Sequence, residues 1–305
     1  MRLRQLLVSC AFLGFALPCW AQNPAFTAEA MAAVEVTVEQ VSDSLHVLFG
    51  IGGNVAVSVG EQGVLMVDDQ FPDMVPKLRA AVRELGGGDV DFAINTHWHY
   101  DHADGNQRLG PDGTWLISHV NSRAMMTQDN VINSVVRPAF TQRAYPTAAL
   151  PVVTFDRQMQ LHFNGEQIDL MHFAPAHTTG DAAVLFRGSN AVHLGDVFNN
   201  SGYPFIDADN GGDLDGMIEF CAAVLAELDE GATVIPGHGP VAGYAELERY
   251  VVMLRSIRDK IAALIADGAS LEQVIAARPT AEWDAEYGDA TRMIDRAYAA
   301  LSRRD

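Results

Sequence analysis

Short apolar runs broken by Gly, Ser, Asp and Asn fill the chain from residue 34 to residue 68. Segments 34–39, 45–49, 54–59 and 63–68 are too short for helices and rich in the β-branched residues that strands favour, so they predict an antiparallel meander after a short Ala-rich linker. The period then changes. Apolar residues at helical spacing predict a helix over 74–85, stopped by Gly86-Gly87-Gly88, and a strand over 91–95 follows. Beyond it come a turn or short helix at 105–109, a strand at 114–118 and a helix at 121–128. Residues 129–150 have no clear period, and Tyr145-Pro146 breaks any helix, so they are expected to be irregular and to wall a site. A second strand-rich set spans 152–155, 158–163, 167–173, 182–186 and 191–194, with Asn164-Gly165 as a hairpin turn. Helices at 214–228, 244–266 and 283–302, and a strand at 233–235, complete the pattern. Meander, helix and strand followed by a second meander with helices imply two similar αβ halves whose sheets pack face to face.

The strand at 91–95 runs into Asn95-Thr96-His97-Trp98-His99-Tyr100-Asp101-His102. Extended backbone sends alternate side chains to one face, so His97, His99 and Asp101 should point together, and one bend brings His102 beside them. Imidazole nitrogen and carboxylate oxygen both suit zinc, and donors this dense crowd a single ion. The cluster therefore points to two neighbouring metals, one on His97 and His99, the other on Asp101 and His102. Ala176-His177-Thr178, Leu194-Gly195-Asp196 and Gly237-His238-Gly239 each place a further donor at a strand end among small residues, which let backbone crowd a metal.

Composition narrows the setting. Residues 1–21 read as a secretory signal peptide: Arg2 and Arg4, an apolar run too short to span a membrane, then Cys19-Trp20-Ala21 before the polar sequence. Residues 22–305 are expected to form a single domain ending in helices, periplasmic or secreted. Leu7-Val8-Ser9-Cys10 resembles a lipoprotein box but sits too early in the leader. Cleavage after Ala21 leaves Cys221 as the one cysteine, so no internal disulfide can form, and its apolar helical setting marks it as buried filler. The full chain carries 20 Lys plus Arg against 39 Asp plus Glu. This balance argues against nucleic acid and anionic membrane surfaces as partners and is compatible with a soluble exported protein.

The order and spacing of these motifs resemble the metallo-β-lactamase-fold superfamily of hydrolases over nearly the whole chain after the leader. The resemblance implies an α/β four-layer αβ/βα sandwich, with two mixed sheets face to face and helices outside. It implies that His97, His99 and His177 hold a first zinc, that Asp101, His102 and His238 hold a second, and that Asp196 bridges them. Iron or manganese could replace zinc. Asp68 would brace the ligand loop. Relatives with a Cys ligand carry it where this chain has Asp196 and lack His102; the β-lactamases with His102 lack the bridging Asp. The combination resembles glyoxalase II and the wider ester, lactone and thioester hydrolases, which attack through a metal-held hydroxide with Asp101 as the proton-handling catalytic residue. A β-lactamase and a mononuclear iron oxygenase of the persulfide dioxygenase kind are the alternatives. Trp98, Tyr100, Asn200 and Tyr203 are candidate pocket residues. His46, His119, His162, His172 and His193 lack partners at ligand spacing and read as structural.

Overall fold

The computed structural model describes residues 26–303; the leader with its cleavage site lies outside the described residues. Strands β1 (Thr37–Gln40), β2 (Leu45–Phe49), β3 (Val55–Gly60) and β4 (Gly63–Val67) form the expected antiparallel meander. It continues in parallel through β5 (Phe92–Asn95), β6 (Trp115–His119) and β9 (Val153–Phe155). A six-stranded sheet holds β10 (Gln158–Phe163), β11 (Glu166–Met171), β12 (Ala183–Phe186), β13 (Ala191–His193), β14 (Thr233–Ile235) and β15 (Ala242–Gly243).

Strand alternation builds the layers. On β4, Leu65 and Val67 enter the core between the sheets, while Val64 and Met66 face helix α2 (Val75–Glu84) and its Leu78 and Val82. On β12, Val184 and Phe186 meet that same central core. Ala183 and Leu185 turn to α6 (Leu214–Glu227), α7 (Tyr244–Ala266) and α10 (Thr291–Ser302). Strands buried on both faces read as unbroken apolar runs, so helix, sheet, sheet and helix stack as the four-layer sandwich expected. Asn164 and Gly165 both have positive φ, 53° and 78°, in the β10–β11 turn, as the Asn-Gly pair requires.

Several boundaries differ from the expectation. The Ala-rich linker contains helix α1 (Ala28–Ala33), capped by Thr27 and tied down by Lys77 Nζ, which donates to the Met31, Ala32 and Val34 carbonyls. The strand expected over 152–155 belongs to the first sheet rather than the second: β9 pairs with β6 and closes it. Its side-chain pattern specifies which face is buried but not which neighbour supplies the hydrogen bonds. Residues 129–150 are not wholly irregular: β7 (Asn130–Ile132) and β8 (Phe140–Gln142) form a small hairpin. The helix expected over 283–302 is divided into α9 (Asp284–Tyr287) and α10, because Gly288 adopts φ +83° between them. A separate helix, α8 (Leu271–Ala277), begins at a Ser270/Gln273 capping box that the sequence already displays. No described helix is long and apolar enough to cross a membrane.

The core between the sheets predicts a stability test. Phe186 is 1 % exposed there, and Phe186→Ala should cost about 3–5 kcal/mol, read as a lowered urea midpoint at unchanged m-value.

Candidate metal centre

The strand ends assemble the site. Asp68 follows β4, His97 and His99 follow β5, Asp196 follows β13 and His238 follows β14; His177 comes from the loop before β12. Alternation holds for the first pair: His97 and His99 turn to the site, while Trp98 between them points away and is fully buried among Phe71, Met74 and Met126. It fails for the next pair. The chain enters a short helix, α3 (Tyr100–Ala103), so Asp101 and His102 sit side by side on its first turn rather than along a strand.

Each of four histidines has one ring nitrogen bound outward. His97 Nδ1 is 3.0 Å from Thr96 Oγ1, His99 Nε2 is 2.9 Å from Asp207 Oδ2, His102 Nδ1 is 2.7 Å from Asp68 Oδ2, and His177 Nδ1 is 2.7 Å from the Phe205 carbonyl. Their other nitrogens face one another. His99 Nδ1 lies 2.7 Å from His177 Nε2, His102 Nε2 lies 3.2 Å from His238 Nε2, and Asp101 Oδ2 lies 3.3 Å from His238 Nε2. His97 Nε2 is buried with no hydrogen-bond partner. Between the two groups sits Asp196. Its Oδ1 is 3.1 Å from His102 Nε2 and 3.4 Å from His238 Nε2, while Oδ2 is 3.6 Å from His177 Nε2.

These spacings test whether the residues fit a metal. Donors about 2.0–2.2 Å from a tetrahedral ion stand roughly 3.3–3.6 Å apart. Most inward separations, 3.1–3.6 Å, lie near that edge length, with His99 and His177 closer at 2.7 Å, and the groups His97, His99, His177 and Asp101, His102, His238 each bring their donor atoms within 4.8 Å of one another. Asp196 Oδ1 and His97 Nε2 lack hydrogen bonds of acceptable geometry although both are buried, as suits atoms arranged around a cation. The His and Asp clusters fit a divalent metal site. A third grouping, Asp68 with His97 and His102, is also compact, but Asp68 Oδ2 is already engaged by His102 Nδ1 and by the Thr96 hydroxyl, so its part is bracing.

Protonation follows the same division. Burial, and then the neighbouring His102 and His177 imidazoles, push His97 well below the usual histidine range, so its lone pair is available. Burial opposes charge on His102 as well, but Asp196, Asp68 and Asp101 together outweigh it and raise its pKa well above the ordinary value. Burial similarly opposes ionisation of Asp196, and His238 with His102 overcomes it and holds the carboxyl well below its usual range. Two carboxylates facing two imidazoles there form a donor set whose protons a divalent cation would displace.

Close backbone approach makes two glycines necessary. A Cβ on Gly53 would strike the His102 ring, and one on Gly237 would strike Asp196 Oδ1. Asn54 donates from Nδ2 to the Pro236 and Gly239 carbonyls at 2.9 and 2.8 Å, fastening the loop that carries His238. Gln142 on β8 accepts from Tyr100 N–H and donates to the Trp98 carbonyl, so the hairpin grips the loop of residues 97–102.

A cavity of about 550 Å³ opens over His99, Asp101, Asp196 and His238. Of the expected pocket residues only Tyr100 borders it. Trp98 is core. Asn200 is half-buried and donates from Nδ2 to the Pro240 carbonyl, and buried Tyr203 binds Thr280 and Asp284 through its hydroxyl. Their neighbours Asn199, Ser201 and Phe205 line the cavity instead, with the hairpin loop around Arg137 and, from α10, Arg292. Asp207 had no local signal: an Asp between Ala and Ile neighbours becomes a histidine brace only when folding sets it under His99.

The remaining histidines lie outside the donor groups, and most are hydrogen-bonded. His119 caps α5 (Val120–Met126) and bonds the Asp156 carbonyl, and His193 bonds the Asn54 carbonyl. His46 departs in one respect, since its buried Nδ1 has no partner.

Residues 49–238 match the family described as the metallo-beta-lactamase superfamily. The chain belongs to that superfamily. Its fold is similar to that of the DIM-1 metallo-beta-lactamase, with TM-score 0.57 and 17% identity over 73% of this chain and 98% of that one. It is equally similar to a metallo-beta-lactamase from Pontibacter korlensis, with TM-score 0.58 and 14% identity over 72% and 99% of the two chains. TMB-1 gives TM-score 0.56 at 14% identity, covering 72% of this chain and 97% of that one. Helices α7 to α10 follow the stretch that matches the superfamily.

The buried contact to His99 yields a prediction. Asp207→Asn, which keeps the shape but loses the charge, should weaken metal binding by roughly 10–100-fold in competition with a chromophoric chelator.

Proposed function

We propose that this superfamily member is an exported dinuclear zinc hydrolase that cleaves a carboxyl ester, lactone, thioester or amide. The observation that carries the reading is the position of Asp196, whose carboxylate reaches towards His102 and His238 with one oxygen and towards His177 with the other. A single ion would need only one of these groups. His97, His99 and His177 would hold one zinc and Asp101, His102 and His238 the other, with Asp196 shared. When bound, such a pair supplies Lewis acidity, acidifying water towards neutral pH and polarising a carbonyl.

The chain's own residues do the rest. Asp101 borders the cavity with Oδ2 directed at His238, where it can orient an attacking water, take its proton and deliver it to the leaving group. Tyr100, Phe140 and Phe205 form an apolar wall that limits bulk water around the reacting carbonyl. Asp68 and Asp207 fix the tautomers of His102 and His99.

The convergence of all seven donor residues favours this reading over a mononuclear iron oxygenase, which needs fewer. The pairing of His102 with Asp196 favours esters, lactones and thioesters over β-lactams. Export rests on residues 1–21, and the substrate is a small molecule that fits the cavity.

Metal analysis of the purified protein should give two zinc ions per chain at saturation; one ion would overturn the dinuclear assignment. A chelator should abolish turnover of a panel of ester, lactone, thioester and β-lactam substrates, and added zinc should restore it. Asp101→Asn should keep most of the metal while kcat/KM falls about 10²–10⁴-fold, and full activity in a metal-replete variant would remove Asp101 from its role.

A further inference from the structure

We propose that Arg292 anchors an anionic group of the substrate, so that the cavity takes an acyl compound bearing a carboxylate. The proposal deepens the hydrolase reading and rests on it for the bond that is cleaved.

Arg292 lies in the first turn of α10, beyond the stretch that matches the superfamily, yet it borders the same cavity as His99, Asp101, Asp196 and His238. Its guanidinium carbon stands 5.4 Å from the centroid of the Phe205 ring. That ring in turn stacks towards His99, with centroids 6.1 Å apart and planes 28° from parallel. One aromatic ring therefore lies between the cation and the three-histidine group, and a cation–π contact helps hold the guanidinium in place.

The cation lacks a matching anion. Arg79, Arg187, Arg258 and Arg296 each pair with a carboxylate at 2.6–2.7 Å. Among the described residues, none lies within 4.0 Å of Arg292, whose hydrogen bond from Nη2 to the Tyr203 carbonyl is long at 3.5 Å. Burial lowers its pKa from the ordinary value and nearby Arg137 adds to that, against the opposing pull of Asp196 and Asp101. In a chain of net charge −19, a half-buried guanidinium without an ion pair, with a second arginine on the same cavity, is suited to receive an anion. The planar fork matches a carboxylate through two parallel hydrogen bonds. Tyr100, Ile132 and Phe140 supply apolar wall for the body of the molecule. Asp101 and Asp196 face the same space and would repel an anion, so binding should require metal to neutralise them.

Calorimetric titration of the zinc-loaded protein with 4-phenylbutanoate and with neutral 4-phenylbutanamide tests the assignment without turnover. The acid should bind at least tenfold more tightly than the amide. Arg292→Gln should remove most of that ratio, and Arg292→Lys, which keeps the charge but loses the fork, should keep part of it and covers the case in which the glutamine variant does not fold. An unchanged ratio in the variants, as direct coordination of the acid by zinc would give, overturns the proposal, as does equal binding of acid and amide to the unaltered protein. With an ester carrying a free carboxylate, Arg292→Gln should raise KM far more than it lowers kcat. Failure of every ester to turn over would count against the hydrolase reading while the titration still decides the role of Arg292.

Discussion

A carboxylate with no solvent exposure, Asp68, holds the site together. Its Oδ1 accepts the Thr96 backbone N–H at 2.7 Å, and its Oδ2 takes the Thr96 hydroxyl at 2.8 Å and His102 Nδ1 at 2.7 Å. Those contacts pin both ends of the loop that carries the histidines. They also hold Asp68 at φ +62°, a left-handed conformation that costs energy in any residue with a side chain and persists only where its surroundings over-determine it. Thr96 Oγ1 passes the same constraint to His97 Nδ1, so one buried anion sets the tautomer or orientation of two rings.

Around that brace the protein gathers charge that an apolar interior resists. Asp101 and Asp196 face His102 and His238 at 3.1–3.4 Å, and each group's charge is sustained by the others against desolvation. A second buried carboxylate, Asp207, does for His99 what Asp68 does for His102, which gives the two halves of the site parallel construction from residues far apart in sequence. Rigid support of this kind keeps donor atoms near ligand spacing in the folded chain, so a divalent cation would need little reorganisation to bind.

The walls of the cavity come from less regular parts of the molecule. The β7–β8 hairpin clasps the ligand loop through Gln142 and presents its own loop to the cavity, and α10 brings Arg292 over Phe205. The strand ends thus supply the candidate metal donors, whereas the hairpin and the terminal helix α10 shape what can approach them. This division follows from packing: strand ends are held from both sheets, but loops and terminal helices can change without disturbing the central core.

Much of this was legible in the chain. Strand alternation and helical period located both sheets and the long helices, and the donors at residues 97, 99, 101, 102, 177, 196 and 238 could be named because metal chemistry restricts residue type and because small neighbours mark crowded backbone. Local pattern also carried the Asn164-Gly165 turn and the burial of Cys221. It misplaced β9, since alternation states which face is buried but not which strand lies alongside. It also offered Trp98, Asn200 and Tyr203 as pocket residues when their neighbours face the cavity, because the direction of a loop side chain depends on contacts made far away in sequence. The amino-acid order by itself determined the two αβ halves through short-range periodicity, and it named the seven candidate donors through ligand chemistry, while resemblance to the superfamily supplied the four-layer fold. Only the tertiary structure decided that Asp207 stands under His99, that Asp196 lies between the two donor groups and that Arg292 shares their cavity, since each depends on distances between residues that folding alone brings together.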